Sequence, residues 1–195
     1  MHERFILSLQ KLVRFSAVSI CLVLISCNQS DKEPANKIDK EPAVSTVDLV
    51  SQIEGLIIDL REDPSLLIAP PKQTKTQIES TEEGVALSGW IGTPNPGGST
   101  NGAYIELVND ELYSGRLVKV QFIAKAIEAN SELSVAYSTN DVGNSGWKTF
   151  SLTEDFQLLS FEYTVPKLKE GNSDFISFIP MDGKIIISAS GVLPQ

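Results

Sequence analysis

From about Glu79 to Leu193, apolar residues recur at every second position in a series of short runs. The runs are Val85, Leu87, Gly89 and Ile91; Ala103, Ile105 and Leu107; Val118, Val120, Phe122 and Ala124; Leu133, Val135 and Tyr137; Leu159, Phe161, Tyr163 and Val165; and Ile185, Ile187 and Ala189. Successive side chains of a strand point to opposite faces, so each run predicts a strand with one buried face. Turn-forming residues separate them at Asn109-Asp110, Glu128 to Asn130, Asn140 to Gly146, Lys169 to Asn172 and Asp182-Gly183. With Trp147 to Leu152 and Phe175 to Ile179 added, the pattern predicts about eight antiparallel strands and no long helix. That is an all-β sandwich or jelly roll over residues 79–195, with one core between two inner faces and Phe161 part of it.

Upstream the pattern changes. Between Val47 and Leu60 the apolar positions fall at 47, 49, 50, 53, 56, 57 and 60, close to helical spacing, with Ser45 or Thr46 as N-cap and Asp48 in the first turn. A short amphipathic helix in a linker spanning 47–78 is expected. Leu56-Ile57-Ile58, with two β-branched residues and set between Gly55 and Asp59, also suits an edge strand. Pro64, Pro70 and Pro71 interrupt any regular element beyond it. Within 27–46, the residues after Cys27 (28–46) are polar, and Asp31-Lys32-Glu33-Pro34-Ala35 recurs as Asp39-Lys40-Glu41-Pro42-Ala43. Such a charged, Pro-containing repeat cannot bury enough apolar surface to offset its ordering entropy, so it reads as a disordered tether.

The first 26 residues read as an export signal. Arg4, Lys11 and Arg14 form a basic region ahead of the apolar run Phe15 to Ser26, which is shorter than the about 20 residues that a bilayer core requires. The run ends Leu24-Ile25-Ser26-Cys27, which resembles the lipobox of bacterial lipoproteins. The resemblance implies cleavage before Cys27, lipidation of Cys27, and membrane attachment through acyl chains. Asn28 stands where the inner-membrane retention signal of enteric lipoproteins carries Asp, and Ser30-Asp31-Lys32-Glu33 resembles the acidic export tags of surface lipoproteins. The expected location is the outer membrane of a bacterial envelope, with display at the cell surface as one form of it.

Charge and composition narrow the chemistry. The chain of 195 residues carries a net charge of −9. Residues 1–26 hold three basic residues against Glu3, so the remainder is more acidic still, at −11. Nucleic-acid binding through a basic surface is not expected. The two cysteines, Cys21 and Cys27, and the single histidine, His2, all precede the tether. The domain itself therefore lacks the imidazole and thiol of Ser-His-Asp or Cys-His catalysis and of common zinc sites.

Three segments carry a resemblance to a known group. Tyr113-Ser114-Gly115-Arg116-Leu117-Val118-Lys119-Val120-Gln121-Phe122-Ile123-Ala124-Lys125-Ala126, then Leu133-Ser134-Val135-Ala136-Tyr137-Ser138-Thr139, then Trp147 and Phe161-Glu162-Tyr163-Thr164-Val165-Pro166 resemble the CenC-like, galactose-binding-like carbohydrate-binding modules. The likeness covers about Gly84 to Val192 and rests on strand signatures, which speak to fold more than to ligand. It implies a non-catalytic jelly roll that holds glycans on one sheet or at its loop edge. Such modules usually accompany a catalytic domain, and the sequence shows none.

Candidate binding residues follow from the pleat. If Val118, Val120, Phe122 and Ala124 face inward, Lys119, Gln121, Ile123 and Lys125 face the other way, and Trp90, Tyr104 and Glu106 fall outside the core set. Sugars need aromatic platforms for their C–H faces and amides or carboxylates for their hydroxyls. Trp90, Tyr104, Glu106 and Gln121 supply both. In the competing reading, Trp90 and Tyr104 cover a half-buried face beneath residues 47–71. A second candidate is the loop carrying Asn140, Asp141, Asn144 and Trp147, which suits a sugar edge and equally suits a hairpin whose Asn and Asp cap turn amides. Asp141 with Asn140 or Asn144 offers oxygens to a structural calcium ion, although the spacing matches no calcium loop; no cofactor is expected. The Gly-rich stretch 92–102 lacks the lysine and context of a phosphate-binding loop. Glu106, Glu162 and Asp141 come from different strands and loops, so nothing forces a pair of catalytic carboxylates together. The functional expectation is a lipid-anchored, non-catalytic glycan binder at the envelope. The alternative is a structural or adhesive lipoprotein that docks onto another envelope protein.

Overall fold

The computed structural model describes residues 45–69, 76–89, 102–108, 110–139, 143–167 and 173–195, all within one compact unit, Lys40–Gln195. Helix α1 (Thr46–Val50) opens it, capped by Ser45, whose hydroxyl accepts from the Asp48 amide at 3.2 Å. Among the described residues eleven strands follow: β1 (Leu56–Asp59), β2 (Gln77–Thr81), β3 (Gly84–Ser88), β4 (Ala103–Leu107), β5 (Leu117–Ala126), β6 (Glu132–Thr139), β7 (Gly143–Asn144), β8 (Lys148–Ser151), β9 (Gln157–Thr164), β10 (Asp174–Asp182) and β11 (Ile185–Pro194).

These strands make two antiparallel sheets. The first runs β2-β3-β11-β5-β9, with β1 also on β11; the second runs β4-β10-β6-β7, with β8 also on β6. From β3 onward the chain passes back and forth between the sheets, with β3, β5, β9 and β11 in the first and β4, β6, β7, β8 and β10 in the second. This is the expected jelly-roll sandwich.

The inner faces are those that the alternation predicts. Val85, Leu87, Val118, Val120, Phe122, Ala124, Ile185 and Ile187 of the first sheet meet Ile105, Leu107, Leu133, Val135, Tyr137, Ile176 and Phe178 of the second. Phe122 lies at the centre, edge-on to Phe150 at 5.1 Å and to Phe178 at 6.1 Å. Phe161 packs against this core but is only half-buried, because β9 is an edge strand.

Two expectations are corrected by β11. The alternation continues Ile185 and Ile187 to Ala189 on the inner face. In the fold Ile187 pairs with Ala124 and Ala189 with Ile123, so Ser188 is one residue in excess and the face of every later residue is reversed. Ala189 therefore lies on the outer side of the first sheet, in a small apolar cluster with Leu49, Ile53 and Ile123. The second correction concerns residues 47–60. Helix α1 ends at Val50, and Leu56–Asp59 is the edge strand of the alternative reading, paired with Ala189 to Val192 of β11. The approach is close: a Cβ at Gly191 would run into the Ile53 side chain and lie 2.7 Å from the Leu56 carbonyl oxygen.

The packed unit therefore begins well before residue 79. Ile58, Leu60 and Leu67 are part of the main core, and Leu49 and Ile53 cover Ile123 and Ala189. At about 1.5–3 kcal/mol for each large apolar side chain, these five together match the whole stability of an ordinary domain, about 5–15 kcal/mol. A fragment of residues 79–195 is thus expected to lack a cooperative urea transition, whereas residues 40–195 unfold in a single step. A cooperative transition in the shorter fragment would show that 45–78 is dispensable.

Candidate functional site

The pairing registers of the second sheet define rows of residues that alternate with its core side chains and so lie on its outer face. One row is Glu106, Phe175, Ser138 and Asn144, across β4, β10, β6 and β7. The next begins Tyr104, Ser177 and Ala136. A third joins Ile179, Ser134 and Thr149, with the two hydroxyls hydrogen-bonded at 2.7 Å.

The second row is completed by a bulge. The Ser145 amide donates to the Tyr137 carbonyl at 2.8 Å, and Lys148 pairs with Val135, so Gly146 and Trp147 together oppose Ala136. Gly146 sits at φ 68°, a left-handed conformation that favours glycine. The bulge is pinned from both sides: the Gly146 amide donates to the Asn144 side-chain oxygen and the Ser145 hydroxyl to the Gly146 carbonyl, each at 2.8 Å. Tyr104 and Trp147 thus stand in one row, three strand spacings or ~14 Å apart along the backbone.

Between them the side chains are small. Ser177, Ser134, Ala136 and Ser138 are 0%, 1%, 3% and 7% exposed, while Tyr104, Phe175, Asn144 and Trp147 are half-buried. The Tyr104 and Phe175 rings meet edge-on at 5.4 Å. The row thus carries paired aromatics on one side and a tryptophan on the other, with small side chains between them that are themselves covered from solvent. Among these rows Glu106 is the one carboxylate, and it is exposed.

The fold separates the sequence candidates. Tyr104 and Glu106 share the outer face of the second sheet, and Asn144 and Trp147 reach the same face from its far edge. Gln121 does not join them. It lies on the first sheet, 1% exposed, with its side-chain amide donating to the Glu54 carbonyl at 3.0 Å. Alternation correctly set it apart from the core, but residues 52–54 cover it, and it acts as a clip for that segment. The role of Asn144 is the one foreseen for an ordinary hairpin, holding a turn amide. Glu162 is on β9 of the first sheet, so it and Glu106 belong to different sheets. Trp90, Asn140, Asp141 and Cys27 lie outside the described residues. Among the described residues no group of three or more His, Cys, Asp or Glu is placed to hold a metal ion. Phe175 and Ser177 were not singled out from the sequence. Their signal was parity: Ile176 and Phe178 are core, so their neighbours in β10 face out.

Beneath one end of the floor lies a buried phenol cluster. The Tyr137 hydroxyl donates to the Asp174 carboxylate, and its ring stands between those of Tyr113 and Tyr163 at 6.5 and 5.7 Å. Burial first, and the Asp174 charge second, raise all three phenols above their ordinary value near 10, Tyr137 the furthest. The unfolded chain releases these protons near pH 10 while the folded chain retains them, so the stabilisation is complete below about pH 10 and is lost as pH rises further. Urea unfolding followed from about pH 7 to pH 11 should show a falling alkaline limb that is shallower in Tyr137→Phe. An identical limb in the variant would mean that Tyr137 ionises equally in both states.

Comparison with known proteins adds a likeness of strand arrangement. No family model and no curated protein matches the chain. Among solved structures, the CBM22-1 xylan-binding domain from Paenibacillus barcinonensis Xyn10C is 12% identical with a TM-score of 0.48, covering 71% of this chain and 92% of its own. A carbohydrate-binding module from Cellvibrio mixtus lichenase 5A, in complex with cellotriose, is 11% identical with a TM-score of 0.43, covering 73% and 99%. The structure titled BiXyn10A CBM1, without ligand, is 12% identical with a TM-score of 0.46, covering 72% and 97%.

Proposed function

We propose that the outer face of the second sheet is a glycan-binding trough in a non-catalytic module, tethered to a bacterial envelope by lipid on Cys27. The observation that carries this reading is the row Tyr104, Ser177, Ala136, Trp147, which sets an aromatic side chain at each side of a floor of small residues. Sugar rings offer apolar C–H faces to aromatic rings and hydroxyls to polar groups. Glu106 adds an acceptor at the next row. Hydrolysis by paired carboxylates needs a second acid across the trough, and the described rows contain one carboxylate. The lipobox at Leu24-Ile25-Ser26-Cys27 supports the anchor, and the charged repeat supports a spacer between anchor and module.

The test is retention of the full chain, purified in detergent, on a panel of immobilised polysaccharides with and without calcium. One glycan class should retain it, with release by the free oligosaccharide. Trp147→Ala and Tyr104→Ala should each weaken binding about tenfold or more, ~1.4 kcal/mol, with melting shifted by only a few degrees. A folded protein that no polysaccharide retains would sink the glycan reading and move the weight to a docking role. For the anchor, Cys27→Ser should abolish incorporation of labelled palmitate in cells; undiminished labelling would refute lipidation at that residue.

A further inference from the structure

Tyr137 lies where several parts of the trough meet. Its carbonyl accepts from the Ser145 amide at 2.8 Å, and its amide donates to the Ser145 hydroxyl at 2.9 Å. Both bonds fix the residue immediately before the Gly146-Trp147 bulge. Its own hydroxyl reaches across to β10 and the Asp174 carboxylate. Asp174 is fully buried, opens β10 directly before Phe175, and pairs with Thr139 at the end of β6 and Leu107 at the end of β4. The Thr139 hydroxyl in turn donates to the Gly143 carbonyl at 2.9 Å, at the return of the chain into β7. One side-chain bond therefore spans the strand ends that present Phe175, Asn144 and Trp147.

We propose that Tyr137 and Asp174 are positioning residues for the trough: their hydrogen bond holds the ends of β6 and β10 in the arrangement that a ligand requires, although neither residue lies on the ligand-facing rows. The inference rests on the glycan-binding reading of that face. A hydroxyl bonded to a carboxylate is a strong bond, and its loss takes one donor away from the buried Asp174 side chain. The carboxylate then draws in water or turns outward, which loosens the junction between the strands. Stacking across a trough tolerates little such movement, because recognition depends on supporting contacts that fix the contacting side chains.

The chain has two tryptophans, so in a Trp90→Phe background the emission of Trp147 reports its surroundings directly. Glycan affinity is measured separately, with Trp90 intact. Tyr137→Phe and Asp174→Ala should each change Trp147 emission and weaken binding about tenfold. Asp174→Asn, which keeps an acceptor for the Tyr137 hydroxyl, should recover most of the loss. Val85→Ala, a core truncation in the opposite sheet, should lower the melting temperature while leaving both emission and affinity as in the parent. Equal affinity loss in Val85→Ala and Tyr137→Phe, or an Asp174→Asn no better than Asp174→Ala, would overturn the proposal. If Tyr137→Phe does not fold, the two Asp174 variants decide the matter. Failure of the parent to bind any polysaccharide defeats the glycan reading by itself; the emission comparison then stands alone, a change supporting the positioning role and constancy refuting it.

Discussion

β11 pairs with β1, β3 and β5, and at Ser188 it carries one residue more than β5 has partners for. Much of the first sheet follows from that excess. Before it, Ile185 and Ile187 face the core and β3 lies alongside; after it, Val192 faces the core, β1 lies alongside, and the outward positions fall to Ala189 and Gly191. Small residues at those two positions let Ile53 approach the sheet and put the carbonyl of Glu54 within reach of the Gln121 amide. Had the strand run without the bulge, Ser188 and Ser190 would have alternated with inward residues throughout, and the cover formed by α1 would have met a different surface.

The second sheet uses the same device for another purpose. At Gly146-Trp147 the extra residue lies at an edge, where among the described residues no further strand depends on its register. There it sets a large aromatic opposite Ala136 instead of continuing a simple alternation with β6. Small side chains in the middle of the rows are the necessary counterpart, because a bulky residue at Ser177 or Ala136 would fill the space between Tyr104 and Trp147. The bulge in β11 thus closes one outer face beneath α1, while the bulge beside β8 shapes the other.

Period-two alternation was enough to read the inner faces of β3, β4, β5 and β6, because burial between two sheets imposes that period directly. It failed at Ala189, since a bulge reverses parity without any mark in composition. It was incomplete at Gln121: the pleat shows which side of a strand a residue takes, but not whether a segment nearly 70 positions earlier in the chain covers it. Residues 47–60 satisfied helical spacing and also contained Leu56-Ile57-Ile58, and the partnership with β11 decided between the two. Tyr104, Glu106, Asn144 and Trp147 were identified as individual residues, whereas their arrangement in rows depends on strand pairings that connect distant parts of the chain. Phe175 escaped notice because its strand was read only as a short apolar run.

The two outer faces also differ in what lies against them. The chain enters the sandwich at Ser45 and passes at once into α1, whose Leu49 packs on the outer side of the first sheet. The trough is on the outer side of the second sheet, with the whole core between them. Ser45, where the described chain begins, therefore lies on the side of the sandwich opposite the Tyr104 row.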